Sequence, residues 1–204
     1  MSSRTLYRLS GISLLIGSLL LIIGDIPGFF IGNDQASTIF TISSLARLIG
    51  AMLIASGLPC MYARFAERSG VLGLVGFTCT FFFMLVGMAT EAILTFIFPF
   101  LAAHGLLSGG PPPLGLLIFF SVGDLLGLIG GILLGIAVLR AAVLPRWAGA
   151  FLIVGGILFS IGSVLRLPIA EVGLILFAVG LAWFAVGMLS KPRAAVEAPT
   201  GVRA

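Results

Sequence analysis

Six long apolar stretches dominate the chain and leave it few alternatives to a membrane protein. Each is about 20 or more residues long, which is enough for a helix to cross a hydrocarbon layer of about 30 Å. We place the six spans at about 9–31, 39–63, 71–98, 114–140, 147–166 and 169–190. Soluble domains carry about 25% charged residues, whereas this chain is 60% hydrophobic and 9% charged. The sequence therefore predicts an all-α integral membrane protein, with residues 1–190 forming a single six-helix transmembrane domain.

The basic residues predict how the spans are oriented in the lipid bilayer. Nine of the eleven Lys and Arg residues fall at one membrane side in this layout: Arg4, Arg8, Arg64, Arg68, Arg140, Arg146, Lys191, Arg193 and Arg203. The loops at the other side carry Asp34 and His104. Because cytoplasmic loops are enriched in Lys and Arg, we expect both termini in the cytoplasm and the protein in the plasma membrane. This topology accounts for the net charge of +4 without nucleic acid as a partner. Residues 191–204 form a polar tail that we expect to be disordered.

Small residues recur every seven positions within the spans. The pairs are Gly17/Gly24, Gly50/Gly57, Thr80/Gly87, Gly123/Gly130, Gly155/Gly162 and Gly173/Gly180, with Gly187 continuing the last. The glycines of segments 11–24 and 149–162 align without a gap. Two explanations stay open. The spans 1–2, 3–4 and 5–6 could be three related helical hairpins, as in transporters with parallel repeats, or close helix packing could select small residues at this spacing.

One acid stands inside the fourth span. Asp124 follows about ten apolar residues and precedes fifteen more. A carboxylate is costly in hydrocarbon, so an acid at this depth is a candidate functional or pairing residue. Gly127, Gly131 and Gly135 lie on the same helical face, which lets neighbouring helices approach closely. We therefore expect Asp124 to point into the bundle.

Every span carries one ionisable residue toward the end opposite the basic residues. These are Asp25, Arg47, Glu91, Asp124, Arg166 and Glu171. At about 1.5 Å per residue, most lie roughly 24–30 Å from the basic boundary. Small residues on the same faces predict that the first five face the interior. We expect Glu171 to face the headgroups and, like His104, to be peripheral.

The charge of this layer permits two interpretations. In the first, Arg47 and Arg166 each neutralise an acid in interhelical ion pairs that serve structure alone. In the second, the layer lines an outward-facing polar pocket that binds or moves a small solute or ion. Asp124, Glu91 and Asp25 would then be acceptors, with the two arginines as counter-charges or anion donors. Four acids and two arginines leave a formal charge of −2, which protonation, a cation or a cationic ligand would balance.

Two further function classes stay open. The outer hairpin at 95–115 is long, apolar and rich in proline, so it could dock a protein partner in a membrane assembly, or it could be only an interfacial loop. An intramembrane acid could also donate a proton to a lipid or isoprenoid substrate in a membrane enzyme. The sequence carries no Walker A, H-E-x-x-H or G-x-S-x-G motif. Because His104 is the only histidine, we expect no metal site, and we expect no cofactor.

The second half of the chain resembles a group of uncharacterised bacterial multi-pass membrane proteins that share a domain of unknown function. The matching features are the Asp-bearing span with Asp124, the LPRW connection Leu144–Trp147 and the last span with Glu171. The EAIL segment Glu91–Leu94 resembles the third span of that group. The resemblance covers roughly residues 85–190. It implies a bacterial plasma-membrane protein with about six helices, and it implies no particular activity.

Overall fold

The protein is a bundle of helices, several of them interrupted or extended beyond the predicted spans. The structure, a computed structural model, describes residues 3–31, 37–105, 113–141 and 146–190. Its helices are α1 (Ser3–Ile31), α2 (Thr38–Ala63), α3 (Ala66–Ala92), a π-helical turn (Ile93–Ile97), α4 (Phe98–Ala103), α5 (Leu114–Ala141), α6 (Arg146–Leu165) and α7 (Ile169–Leu189). Six helices are long and apolar enough to cross a membrane, with α3 to α4 counted as one, and the described ranges contain no strand. The predicted all-α, six-helix membrane fold is thereby confirmed.

The six long helices form a closed ring in chain order. Each packs against its neighbours in the sequence, and α7 packs back against α1. Neighbouring helices are antiparallel, because Gly17 meets Gly50 of α2 whereas Gly24, further along α1, meets Ser43. The start of α1 and the end of α7 therefore lie at the same end of the ring. We call this the terminal end and the opposite one the distal end.

The recurring small residues lie where paired helices meet. A Cβ on Gly17 would lie 2.7 Å from the carbonyl oxygen of Gly50 in the α1–α2 pair. A Cβ on Gly130 would lie 2.7 Å from the backbone nitrogen of Thr80 in the α3–α5 pair. In the α6–α7 pair, a Cβ on Gly155 would lie 2.5 Å from the backbone nitrogen of Phe177. Glycine therefore sets how closely the helices of each hairpin approach. A common origin of the three hairpins stays a prediction.

The interior of the terminal half is packed with large apolar side chains. Phe65, Phe177 and Phe184 are fully buried there, and the rings of Phe65 and Phe184 stack with their centroids 6.2 Å apart. Beside this stack, Arg64 at the end of α2 donates a hydrogen bond of 3.2 Å to the carbonyl of Gly187 on α7. The ring is therefore closed across its terminal end.

The distal half has a different interior. On the parts of the helices beyond Leu21, Gly50, Met84, Gly127, Gly156 and Phe177 toward the distal end, every residue in the buried class among those described is small or polar. These residues are Gly24, Asp25, Ser43, Ser44, Thr95, Gly123, Ser160, Gly162 and Gly173. Partly buried apolar side chains, among them Met88, Leu126 and Phe159, also pack against the core in this half. The interior of the distal half is therefore less apolar than that of the terminal half.

The third span is longer than predicted. A short helical turn begins at Ala66, and Gly70, with φ 56°, joins it to the main helix that starts at residue 71. It then continues past 98 through the π turn to Ala103. These 38 residues exceed the about 20 that a helix needs to cross about 30 Å of hydrocarbon, even without the short turn before Gly70.

The basic residues that the structure describes cluster as predicted. Arg8, Arg64, Arg68, Arg140 and Arg146 all belong to helix ends at the terminal end of the ring. Which membrane holds the protein and which end faces the cytoplasm stay predictions. The predicted disordered tail at 191–204, the acid Asp34 and the middle of the 95–115 hairpin lie outside the described residues.

Candidate functional site

Three of the six predicted ionisable residues meet at the distal end of the bundle. Asp25 of α1, Arg47 of α2 and Glu91 of α3 form what we call the charge cluster. Arg47 Nη1 donates to Asp25 Oδ1 at 3.3 Å, and Arg47 Nε lies 3.0 Å from Glu91 Oε1. Arg47 Nη2 also donates to Ser44 Oγ at 3.3 Å. One guanidinium thus serves two carboxylates on different helices.

The ring order explains why Arg47 is shared. Helix α2 lies between α1 and α3, so an arginine near its distal end reaches both neighbours. Gly24 makes room for the arginine stem, since a Cβ there would lie 2.7 Å from Arg47 Cγ and 2.8 Å from the carbonyl oxygen of Ser43. The acid next to this glycine, Asp25, is thereby brought within reach of the guanidinium.

The cluster is buried but incompletely paired. The side chains of Asp25, Arg47 and Glu91 are 4%, 14% and 15% exposed. Asp25 Oδ2 and Glu91 Oε2 are buried and lack a hydrogen-bond partner among the described residues, and Arg47 Nε–H is not aligned for a hydrogen bond despite its short distance to Glu91. When all three groups are ionised, the cluster carries one surplus negative charge. Such an uncompensated buried charge is costly in a low-dielectric interior.

Two further polar residues, Thr95 and Glu171, lie in the same distal part of the ring as the cluster. Thr95 in the π turn follows Glu91 by four residues, which places it about one turn later on the same face. Its side chain is 5% exposed and its hydroxyl has no hydrogen-bond partner among the residues described. Glu171 of α7 lies against α1, because its Oε1 is 3.3 Å from the position that a Cβ on Gly28 would take. Glu171 is partly buried there, and its position at the headgroups stays a prediction.

Asp124 lies at the interface between α5 and α6, apart from any arginine. Its Oδ2 accepts a hydrogen bond of 2.8 Å from Ser163 Oγ, and its carbonyl accepts one of 2.9 Å from Ser160 Oγ. Within the described ranges, no Arg or Lys nitrogen lies within 4.0 Å of its carboxylate. The predicted small face does pack on a neighbouring helix, since Gly131 and Gly135 contact α6. Asp124 is nevertheless held by serine hydroxyls rather than by the charge cluster.

Arg166 does not lie inside the bundle with the other ionisable residues. Helix α6 ends at Leu165, and Arg166 adopts φ 54° in the turn to α7 with its side chain exposed. The backbone hydrogen bonds from Leu167 to Gly162 and from Arg166 to Ser163 form the Schellman motif that ends many helices. The prediction that Arg166 faces inward and neutralises an acid is therefore wrong, because this helix-ending turn directs it out of the bundle.

His104 is exposed at the end of α4. Its Nδ1 lies 2.8 Å from the carbonyl oxygen of Phe100, and the two rings are 4.3 Å apart. Across the part of the chain that the structure describes, no group of three or more His, Cys, Asp or Glu side chains is arranged to hold a metal ion.

The sequence spacing also marks polar residues that were not among the predicted site residues. Ser44 precedes Arg47 by three residues and Thr95 follows Glu91 by four, spacings that place both on the face of the charged neighbour. Ser160 and Ser163 are likewise three residues apart in an otherwise glycine-rich and apolar helix. Hydroxyls at such spacings beside a buried charge indicate a polar helix interface.

The chain matches no protein-family model, no curated protein and no solved structure. The resemblance to uncharacterised bacterial multi-pass proteins stays a prediction.

Proposed function

We propose that the protein binds a small monovalent cation at the charge cluster and moves it across the membrane. One observation carries this proposal. The single guanidinium of Arg47 lies between two buried carboxylates, and each carboxylate keeps one buried oxygen, Asp25 Oδ2 and Glu91 Oε2, without a partner among the described residues. The cluster therefore has one negative charge and at least two hydrogen-bond acceptors in excess.

The sign of the cluster favours a cation over other small ligands. An anion bound to Arg47 would meet the two carboxylates that already contact the guanidinium. A neutral solute would leave the surplus charge unbalanced in a medium where an unpaired charge is expensive. A monovalent cation removes the surplus charge and leaves the cluster neutral.

The unpartnered atoms further define the kind of cation. Asp25 Oδ2 and Glu91 Oε2 are oxygens that accept hydrogen bonds, and a carboxylate forms its strongest ones with charged N–H donors. Ammonium-type and guanidinium-type ions supply such donors. We therefore propose a ligand that carries N–H groups as well as one positive charge.

The two halves of the bundle suggest the route. The charge cluster lies in the distal half, and the positive-inside rule favours an orientation with this end outside the cell. The apolar packing of the terminal half, with the Arg64 to Gly187 hydrogen bond, closes the opposite route. Transport would require α2 and α7 to separate at this contact.

Thermal unfolding of the purified protein in detergent tests cation binding. The probe is guanidinium at low millimolar concentration, compared with tetramethylammonium, which has the charge without N–H donors, and with urea, which has N–H donors without the charge. We expect guanidinium alone to raise the unfolding temperature, because a ligand that binds the folded state stabilises it.

The variants make the test specific. Asp25→Asn and Glu91→Gln should abolish the stabilisation, since each removes the surplus negative charge. Asp124→Asn is the matched control, because it changes a membrane acid that lies at another interface and still accepts a hydrogen bond. No stabilisation of the wild type, or equal stabilisation of all variants, would refute the proposal.

A second candidate function, as a subunit of a membrane assembly, draws support from α4. Phe100 of this helix and Phe96 of the π turn before it are 58% and 65% exposed near the distal end of the span. Partner proteins that co-purify from native membranes with the wild type but not with a Phe96→Ser, Phe100→Ser variant would favour this function. A protein that purifies alone in both forms would contradict it.

A further inference from the structure

We infer that the charge cluster exchanges a proton for its cation, so that binding of one cation releases one proton from Glu91. This inference rests on the proposed function and adds the means of energy coupling. It would make the protein an exchanger in which an inward proton gradient drives the cation outward.

The charge count of the cluster requires the exchange. The guanidinium of Arg47 supplies one positive charge against the two carboxylates of Asp25 and Glu91. One further positive charge makes these three groups neutral. A proton and a cation held together would leave one surplus positive charge, which is as unfavourable in this interior as the surplus negative charge. The two ligands are therefore mutually exclusive.

The geometry assigns the proton to Glu91 rather than to Asp25. Asp25 Oδ1 accepts an aligned hydrogen bond from Arg47 Nη1–H, which favours the ionised form. Glu91 has a close contact with Arg47 Nε but no aligned hydrogen bond from it. The step is then proton loss from the Glu91 carboxyl as the cation pairs with the resulting carboxylate.

The other charged groups around the cluster do not supply the missing positive charge. On the helices packed against α1, the nearby groups are Arg47 of α2 and the acid Glu171 of α7. On the helices packed against α3, they are again Arg47 and the acid Asp124 of α5, which is held by Ser163. In the described part of the bundle, Arg47 is thus the one cation that contacts the cluster.

Simultaneous measurement of cation binding and proton release tests the inference. Guanidinium is added to the purified protein in a weakly buffered solution with a pH indicator, and bound guanidinium is measured by equilibrium dialysis from about pH 5 to about pH 9. We expect up to one proton released per bound guanidinium. We also expect the affinity to fall by up to about tenfold per pH unit on the acidic side, where the proton competes.

The outcomes separate the two proposals. Binding without proton release and with constant affinity across this pH range would overturn the exchange and leave the proposed function intact. Absence of binding at every pH would overturn the proposed function and the exchange with it. Asp124→Asn should bind and release protons like the wild type. If it binds but releases none, the proton comes from Asp124 and the assignment to Glu91 is wrong.

Discussion

Gly24 of α1 and Arg47 of α2 are in direct contact, with the arginine Cγ occupying the space beside the glycine Cα. A Cβ on Gly24 would lie only 2.7 Å from this atom. The contact holds the arginine stem against α1 and directs the guanidinium toward Asp25 and Glu91. The charge cluster therefore depends on a residue that has no side chain of its own.

The first prediction concerns this glycine. Gly24→Ala should lower the stability by about 1–3 kcal/mol, a typical cost of overpacking, because both Arg47 and the backbone of Ser43 would have to move. Gly87→Ala is the control, since a Cβ on Gly87 would have no described atom within 4 Å and alanine favours helix formation. Unfolding in a denaturing detergent measures the stability of both variants. A Gly24→Ala protein as stable as Gly87→Ala would contradict the described contact.

The second prediction concerns the shared guanidinium. Arg47→Met should destabilise the protein by about 3–5 kcal/mol, because removal of one partner leaves uncompensated buried charge. Combining it with Asp25→Asn and Glu91→Gln should restore most of that stability, since the cluster is then neutral. The same unfolding measurement applies. A triple variant no more stable than Arg47→Met would show that unpaired charge does not cause the loss of stability in Arg47→Met.

The spans and the polar layer could be predicted from the sequence because they depend on local pattern. Apolar length determines where the membrane helices run, and the seven-residue spacing of glycine marks the faces that meet. Asp25, Arg47 and Glu91 share their faces with small residues, which correctly indicated burial.

The pairing of charges could not be predicted in the same way. Six glycine-rich helices of similar composition do not specify which neighbours close a ring, so Arg47 and Arg166 looked equivalent. The difference arises from a single turn, in which Arg166 occupies the left-handed position that ends α6. Likewise, only the packing of α7 on α1 brings Glu171 to Gly28.

The third prediction concerns Asp124 and its hydroxyl partner. Ser163→Ala should lower the stability of the protein by about 0.6 kcal/mol, the average for an interhelical hydrogen bond in a membrane protein. It should leave guanidinium binding unchanged. Asp124→Asn retains an acceptor for the Ser163 hydroxyl and should lower the stability by less than Ser163→Ala does. Unfolding and binding measurements on both variants check this. Loss of binding in either variant would place Asp124 in the cation site.

The fourth prediction concerns the orientation of the bundle. His104 and Ser190 are exposed at the distal and terminal ends. In a background with Cys60 and Cys79 replaced by alanine, a membrane-impermeant maleimide applied to intact cells should label His104→Cys and not Ser190→Cys. The reverse pattern would place the distal end in the cytoplasm and contradict the positive-inside assignment.

The most direct test of the central claim is the equilibrium binding of radiolabelled guanidinium to the protein in lipid nanodiscs. The charge cluster predicts saturable binding of about one ion per chain to the wild type and to Asp124→Asn. It predicts at least about tenfold weaker binding to Glu91→Gln, because a charge-assisted hydrogen bond contributes about 1.5–3 kcal/mol. Absence of saturable binding to the wild type, or equal affinity of Glu91→Gln, would contradict the assignment of this cluster as a cation site.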